Sequence, residues 1–277
     1  MEYSYRNGKA PYFFWFIFYF LLFWALTGFN AIAFIVLLSI YAISIIFAFS
    51  PAAEIFWRMV NGVRPLRIRN EKLRLLPLFK EVYIEAVKKE ENLSRSIRLY
   101  IKEDMNINAF AFGQKTLVIT RGSIELLSDD CLKGLMVHEL GHFAHDDTVA
   151  VLITSVGNFF YSMLMKYLTD LKKAVDTNKK NSLLMGCVKS VVDVIYYLFR
   201  GIQFLSDLIL MYASRQNEYL ADLFALDCGY GAEMAEVLIQ IYQMMINKPQ
   251  KIKAIINSSH PPITKRIESL EMILYKK

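Results

Sequence analysis

Two of the four histidines in this 277-residue chain, His138 and His142, stand four residues apart in the run His138-Glu139-Leu140-Gly141-His142. On a helix, that spacing puts side chains one turn apart, about 5–6 Å from each other. Two imidazoles so placed can share one Zn²⁺ at about 2.0–2.1 Å. Glu139 projects beside them, toward the place where a water would lie on such a centre, and can accept its proton. The chemistry indicated is the activation of water for hydrolysis.

A catalytic zinc takes three protein ligands and keeps one position open, so a third donor is needed. His145 shares a helix face with His142 but lies about 10 Å along the axis from His138. Glu218 is the better candidate, in the run Ser214-Arg215-Gln216-Asn217-Glu218-Tyr219-Leu220-Ala221-Asp222. Asp222, one turn beyond it, is placed to accept a hydrogen bond from a ligating imidazole and so fix its tautomer. The competing reading of Glu218 and Asp222 is a solvated acidic pair. Gly141 lowers helix propensity where it stands and is read as room for a neighbouring backbone. For the developing oxyanion the candidates are Arg215 and His260; the alternatives are an ion-pairing role for Arg215 and a loop cap before Pro261-Pro262 for His260.

The elements that must position these groups begin with a membrane anchor. From Ala10 to Ala53 there is no Asp, Glu, Lys or Arg over 44 residues, which as helix would reach roughly 66 Å. A bilayer core is about 30 Å thick, so the run fits a hairpin, Pro11–Leu26 and Ala31–Phe49, broken at the turn-prone Thr27-Gly28-Phe29-Asn30, with Trp15 and Trp24 available as interface anchors. A cleaved leader is the alternative, but a second apolar run follows at once. Arg6 and Lys9 precede the hairpin, and Arg58, Arg64, Arg67, Arg69, Lys72 and Arg74 follow it, so both ends belong on the cytoplasmic side. A helix over 71–92 with Pro77 as an early kink or late start, strands over 96–102, 108–112 and 115–120, and a helix capped at Ser128-Asp129-Asp130 come next. A second hydrophobic pair, about 148–165 and 188–212, either spans or is partly embedded; its basic loop favours partial embedding. Asp193, Arg200 and Asp207 recur every seven residues and share one face, expected to pack against the catalytic part. Helices over 214–226, 232–246 and 263–275 complete the chain.

Apolar residues make up 55% of the sequence, with 20 Phe and 16 Tyr, a composition suited to a soluble part joined to membrane helices. The charge of +6 is modest and nothing resembles a nucleic-acid-binding module. Cys131, Cys187 and Cys228 form no disulfide framework and read as small buried residues.

Taken together, Asn108-Ala109-Phe110-Ala111, His138-Glu139-x-x-His142, Glu218-x-x-x-Asp222 and His260-Pro261-Pro262 resemble the HtpX-like membrane metalloproteases, gluzincins related to the CAAX prenyl proteases. The resemblance covers nearly the whole chain. It implies one Zn²⁺ per chain on His138, His142 and Glu218, Glu139 as base, and Asn108 and Ala109 on an edge strand that holds substrate backbone. It also implies polypeptide substrates, membrane proteins among them, and a quality-control role at the cell membrane with the catalytic domain in the cytoplasm. The expected fold is mostly α with a small β-sheet, a zincin-type catalytic domain attached to transmembrane helices. Its parts are a transmembrane hairpin (1–57), a first catalytic part (58–147), the second hydrophobic pair (148–212) and a second catalytic part (213–277). A non-catalytic zinc-stabilised scaffold and a CAAX-prenyl-protease-like enzyme are the alternatives.

Overall fold

A computed structural model describes residues 9–93, 96–177, 183–246 and 261–275. His260, Arg6, Lys179 and Lys180 lie outside the described residues.

The uncharged N-terminal run forms α1 (Lys9–Leu26) and α2 (Ala31–Ala48). Between them Gly28 and Phe29 adopt left-handed φ values of 69° and 59°, and the Asn30 side chain caps α2 by accepting from the N–H groups of Ile32 and Ala33. Trp24 stands at this turn, its indole N–H donating to the Asn30 carbonyl. Trp15 is no interface anchor: it is buried beside Tyr19. α3 (Pro51–Val60) follows α2 with only Phe49 and Ser50 between them, capped by Ser50 with Pro51 in the first turn.

A mixed sheet follows, from β1 (Val63–Pro65), β2 (Arg98–Lys102), β3 (Ala109–Phe112) and β4 (Thr116–Thr120), in the order β1-β2-β4-β3. β2 and β4 run parallel, and the other two pairings are antiparallel. β3 is therefore an edge strand. α4 (Arg69–Lys89) runs straight through Pro77, so the proline neither starts nor ends the helix; Leu75, Val82 and Ala86 on its inner face are fully buried. After α5 (Arg121–Leu126) comes α6 (Asp129–Ala144), whose N-terminus is capped by the Ser128 hydroxyl. α6 is the central element: Leu132, Met136 and Leu140 are fully buried in a core shared with the sheet, α4 and α9 (Gly231–Ile246).

α7 (Asp147–Asp176) and α8 (Leu183–Asp227) follow, the latter one continuous helix of 45 residues. α1, α2, α7 and α8 are each long and apolar enough to cross a membrane. Tyr19, Tyr161 and Phe199 join three of them, with Tyr19 Oη donating to Ser206 Oγ at 2.8 Å and Tyr161 Oη to the Phe199 carbonyl at 2.6 Å. The buried stripe of α8 is Phe199, Ser206 and Ala213. This corrects the expectation for Asp193, Arg200 and Asp207, which lie one position further along and thus about 100° round the helix. Arg200 and Asp207 are exposed and Asp193 pairs with Lys172 of α7, so the stripe does not meet the catalytic part. Of the cysteines, Cys131 and Cys228 are buried, whereas Cys187 is exposed. α10 (Ile263–Leu274) closes the described chain.

The basic run after the hairpin is partly structural. Arg74 binds Asp129 at 2.7 Å, and Arg64 with Arg121 clamps Glu71, each at 2.7 Å, while both also reach Glu103. Arg64 foremost, with Arg121, lowers the Glu71 pKa to about 2 from 4.5 although burial opposes the shift. A depressed carboxylate stabilises the fold fully above its unfolded value and loses that contribution as pH falls through its folded value. A Glu71→Gln chain is therefore expected to lose about 1–3 kcal/mol at neutral pH. The gap to wild type should close as pH drops from 4.5 toward 2; denaturant unfolding in detergent across that window is the measurement.

Candidate metal centre and active site

The i,i+4 geometry of α6 sets the His138 and His142 rings with centroids 5.0 Å apart at 85°. Opposite them, α8 presents Glu218: its Oε2 is 3.6 Å from His138 Nε2 and its Oε1 is 3.8 Å from His142 Nε2. One donor atom from each of the three lies within 4.8 Å of the others. A tetrahedral ion such as zinc spaces its donors about 3.4 Å apart, so the cage is close to closed around that volume. His145 caps the end of α6, with its ring edge-on to Phe224.

Each imidazole has its other nitrogen occupied. His138 Nδ1 is 2.9 Å from Asp222 Oδ1, and His142 Nδ1 is 3.0 Å from Asp147 Oδ2. A carboxylate at Nδ1 fixes the proton there and turns the Nε2 lone pair toward the centre. Asp147 reaches this position because Asp146, at the α6–α7 junction, takes a left-handed φ of 51°. Lys9 holds the same corner through an ion pair to Asp146 at 2.9 Å.

Arg266 of α10 is the residue that spacing gave no reason to select. It lies buried, donates to both Asp222 oxygens at 2.7 and 2.6 Å, and meets Glu218 Oε2 at 2.7 Å. Four carboxylates, Glu139, Asp147, Glu218 and Asp222, are buried here against this one guanidinium. Such an excess of buried negative charge calls for a compensating cation, and a divalent ion between the two Nε2 atoms and Glu218 suits it. Burial pushes the His138 imidazole down, but Asp222 and Glu218 outweigh it and lift it to about 9; His142 is raised by Asp147 and Glu218 against the same opposition.

Glycine at 141 brings the two ligand-bearing helices together. A Cβ there would lie 3.0 Å from Ala221 Cα and 3.2 Å from Phe224 Cβ, so the backbone of α8 rests on α6 one turn from Glu218. The room expected from the sequence is used.

The centre opens into a cleft of about 540 Å³ bounded by β3 and its flanks on one side, Pro261, Pro262 and Ile263 on another, and Tyr12, Thr148 and Val151 from α1 and α7. Glu139 lies on the cleft wall beside the two imidazoles. The Thr120 N–H donates to the Asn108 carbonyl at 3.1 Å. Hydrogen-bonded and open pairs alternate along an antiparallel ladder, so the backbone groups of Ala109 and Ala111 face away from β4. The Asn108 N–H is taken up by Thr120 and Ser123, leaving that residue its exposed side chain. Arg215 is not among the residues lining the cleft; its guanidinium donates to Met211 Sδ, one turn back on the same helix, at 3.7 Å. The buried cation of the centre is Arg266.

The family model described as Peptidase family M48 matches residues 80–274. A Protease HtpX homolog from Bacteroides fragilis is 26% identical over 246 residues, covering 77% of this chain and 72% of that protein. A Protease HtpX homolog from Streptococcus uberis is 26% identical over 198 residues, covering 62% of this chain and 66% of that protein. The chain thus spans about two-thirds of the length of the curated relatives it matches. The fold is similar to that in the crystal structure of S. mikatae Ste24p, with a TM-score of 0.50 and 18% identity over 92% of this chain and 61% of that one. The family match runs from α4 to the end of α10 and takes in every residue of the centre, and the chain belongs to peptidase family M48.

Proposed function

We propose that this chain is a membrane-bound, zinc-dependent endopeptidase, working on the cytoplasmic side on polypeptides that include membrane proteins, in a quality-control role. The observation that carries the reading is the convergence of His138, His142 and Glu218 at one point, beneath a sheet edge that opens into the same cleft. His138, His142 and Glu218 would hold the ion, with Asp222 and Asp147 fixing the two imidazoles. When bound, zinc supplies Lewis acidity that polarises a carbonyl and lets water lose a proton near neutral pH. Glu139 takes that proton and returns it to the leaving amine. Ala109 and Ala111 pair with an extended substrate as an added strand, and Asn108 offers its side chain beside them.

The cytoplasmic placement rests on Arg6 and Lys9 before the hairpin and the exposed Arg67, Arg69 and Lys72 after it. The quality-control role rests on the likeness to the HtpX proteases. Protein purified in detergent should contain one zinc per chain and cleave casein. Chelation should abolish cleavage and added zinc restore it. A full zinc complement with no cleavage would instead favour a zinc-stabilised scaffold.

A further inference from the structure

We propose that α3 is an interfacial helix that lies in the bilayer surface and sets the height of the substrate-binding edge strand above the membrane. Its two faces carry different chemistry. Ile55, Phe56, Met59 and Val60 are 56–69% exposed and follow the one-face spacing of a helix. The opposite face grips the sheet. Glu54 is buried, accepting from the Gln114 N–H at 2.7 Å and the Thr116 hydroxyl at 2.9 Å. Arg58 donates to the same hydroxyl at 2.8 Å and covers the Tyr100 ring at 4.5 Å. Trp57 stacks on Phe112 with centroids 3.8 Å apart at 11°, and meets Phe110 edge-on.

The occupant of the apolar face follows from what precedes it. α2 is apolar enough to cross a membrane and ends at Ala48, and α3 begins at Pro51. A helix starting that close to a membrane exit lies at the headgroup boundary, where an apolar face with a polar back inserts sideways. The medium that covers Phe56 and Met59 is therefore the lipid that surrounds α2. The back of the same helix holds the β3–β4 turn through Glu54 and stacks on β3 through Trp57, so the free edge of β3 is tied to the bilayer surface by one layer of side chains. Resting on the endopeptidase reading, this narrows the substrate class to polypeptides presenting an extended segment where they leave the membrane.

The test uses the full chain in nanodiscs of phosphatidylcholine and phosphatidylglycerol. In a Cys187→Ser background, an environment-sensitive fluorophore is placed at Met59→Cys and, as a soluble-side control, at Lys88→Cys. Doxyl-labelled lipid should quench the first at least twofold and leave the second nearly unchanged. Equal quenching at both positions, or none at Met59, would overturn the placement, and this holds whether or not the chain is active. For the substrate class, Phe56→Glu with Met59→Glu should slow cleavage of a membrane-tethered polypeptide at least tenfold relative to casein. Equal loss on both substrates, or no loss on either, would overturn that narrowing. A wild-type chain inert toward both would defeat the endopeptidase reading and leave the quenching result standing.

Discussion

A Glu139→Gln chain is expected to retain its zinc while its rate of casein cleavage falls by about 10²–10⁴-fold. The amide nearly matches the carboxylate in shape, so the walls of the cleft and the cage of His138, His142 and Glu218 are left in place. On the proposed mechanism, what is lost is the group that accepts a proton from water and delivers it to the departing amine. Metal analysis on the same preparation separates this from collapse of the site. Unchanged cleavage would remove Glu139 from the chemistry and the hydrolase assignment with it. Loss of metal together with activity would mean that Glu139 holds the centre together rather than serving as its base.

The second large effect is expected at Arg266. Its guanidinium neutralises Asp222 through two hydrogen bonds and Glu218 through a third contact, all buried. Removing one partner of a buried ion pair strands the other and costs about 3–5 kcal/mol. An Arg266→Leu chain should show that loss most clearly in its metal-free form, since a divalent cation replaces part of the missing positive charge. The thermal shift on adding zinc should accordingly exceed that of wild type. Arg266→Lys keeps the charge but not the two-pronged geometry and should fall between the two. A metal-free Arg266→Leu chain melting with wild type would show that the carboxylates do not depend on this residue.

Legibility from the sequence followed the range of the interaction. His138 and His142 share one helix, and so do Glu218 and Asp222, so the turn of a helix alone gives each pair its spacing. That Glu218 faces the imidazoles depends on packing, and Gly141 was the local sign of it. The edge position of β3 was expected from the resemblance rather than from any residue pattern. Asp147 carried no mark in the sequence because its reach back to His142 depends on the left-handed backbone of Asp146, a conformation uncommon for any residue but glycine. Arg266 sits 44 residues from Asp222, and one arginine among many on a helix carries no mark of burial. The same limit explains Arg200 and Asp207: a seven-residue recurrence identifies a common face, but only the neighbouring helices decide whether that face or the adjacent one, with Phe199 and Ser206, turns inward.

Arg266 belongs to the last described helix, and this places a condition on the order of synthesis. A growing chain that has emerged as far as α8 already holds two imidazoles and four acids of the centre, yet not the cation that balances Asp222 and Glu218. Until α10 is made, the buried acids of the centre lack the guanidinium that pairs with them. Neutralisation of Asp222 and Glu218 therefore waits until α10 has been made and has packed against α8.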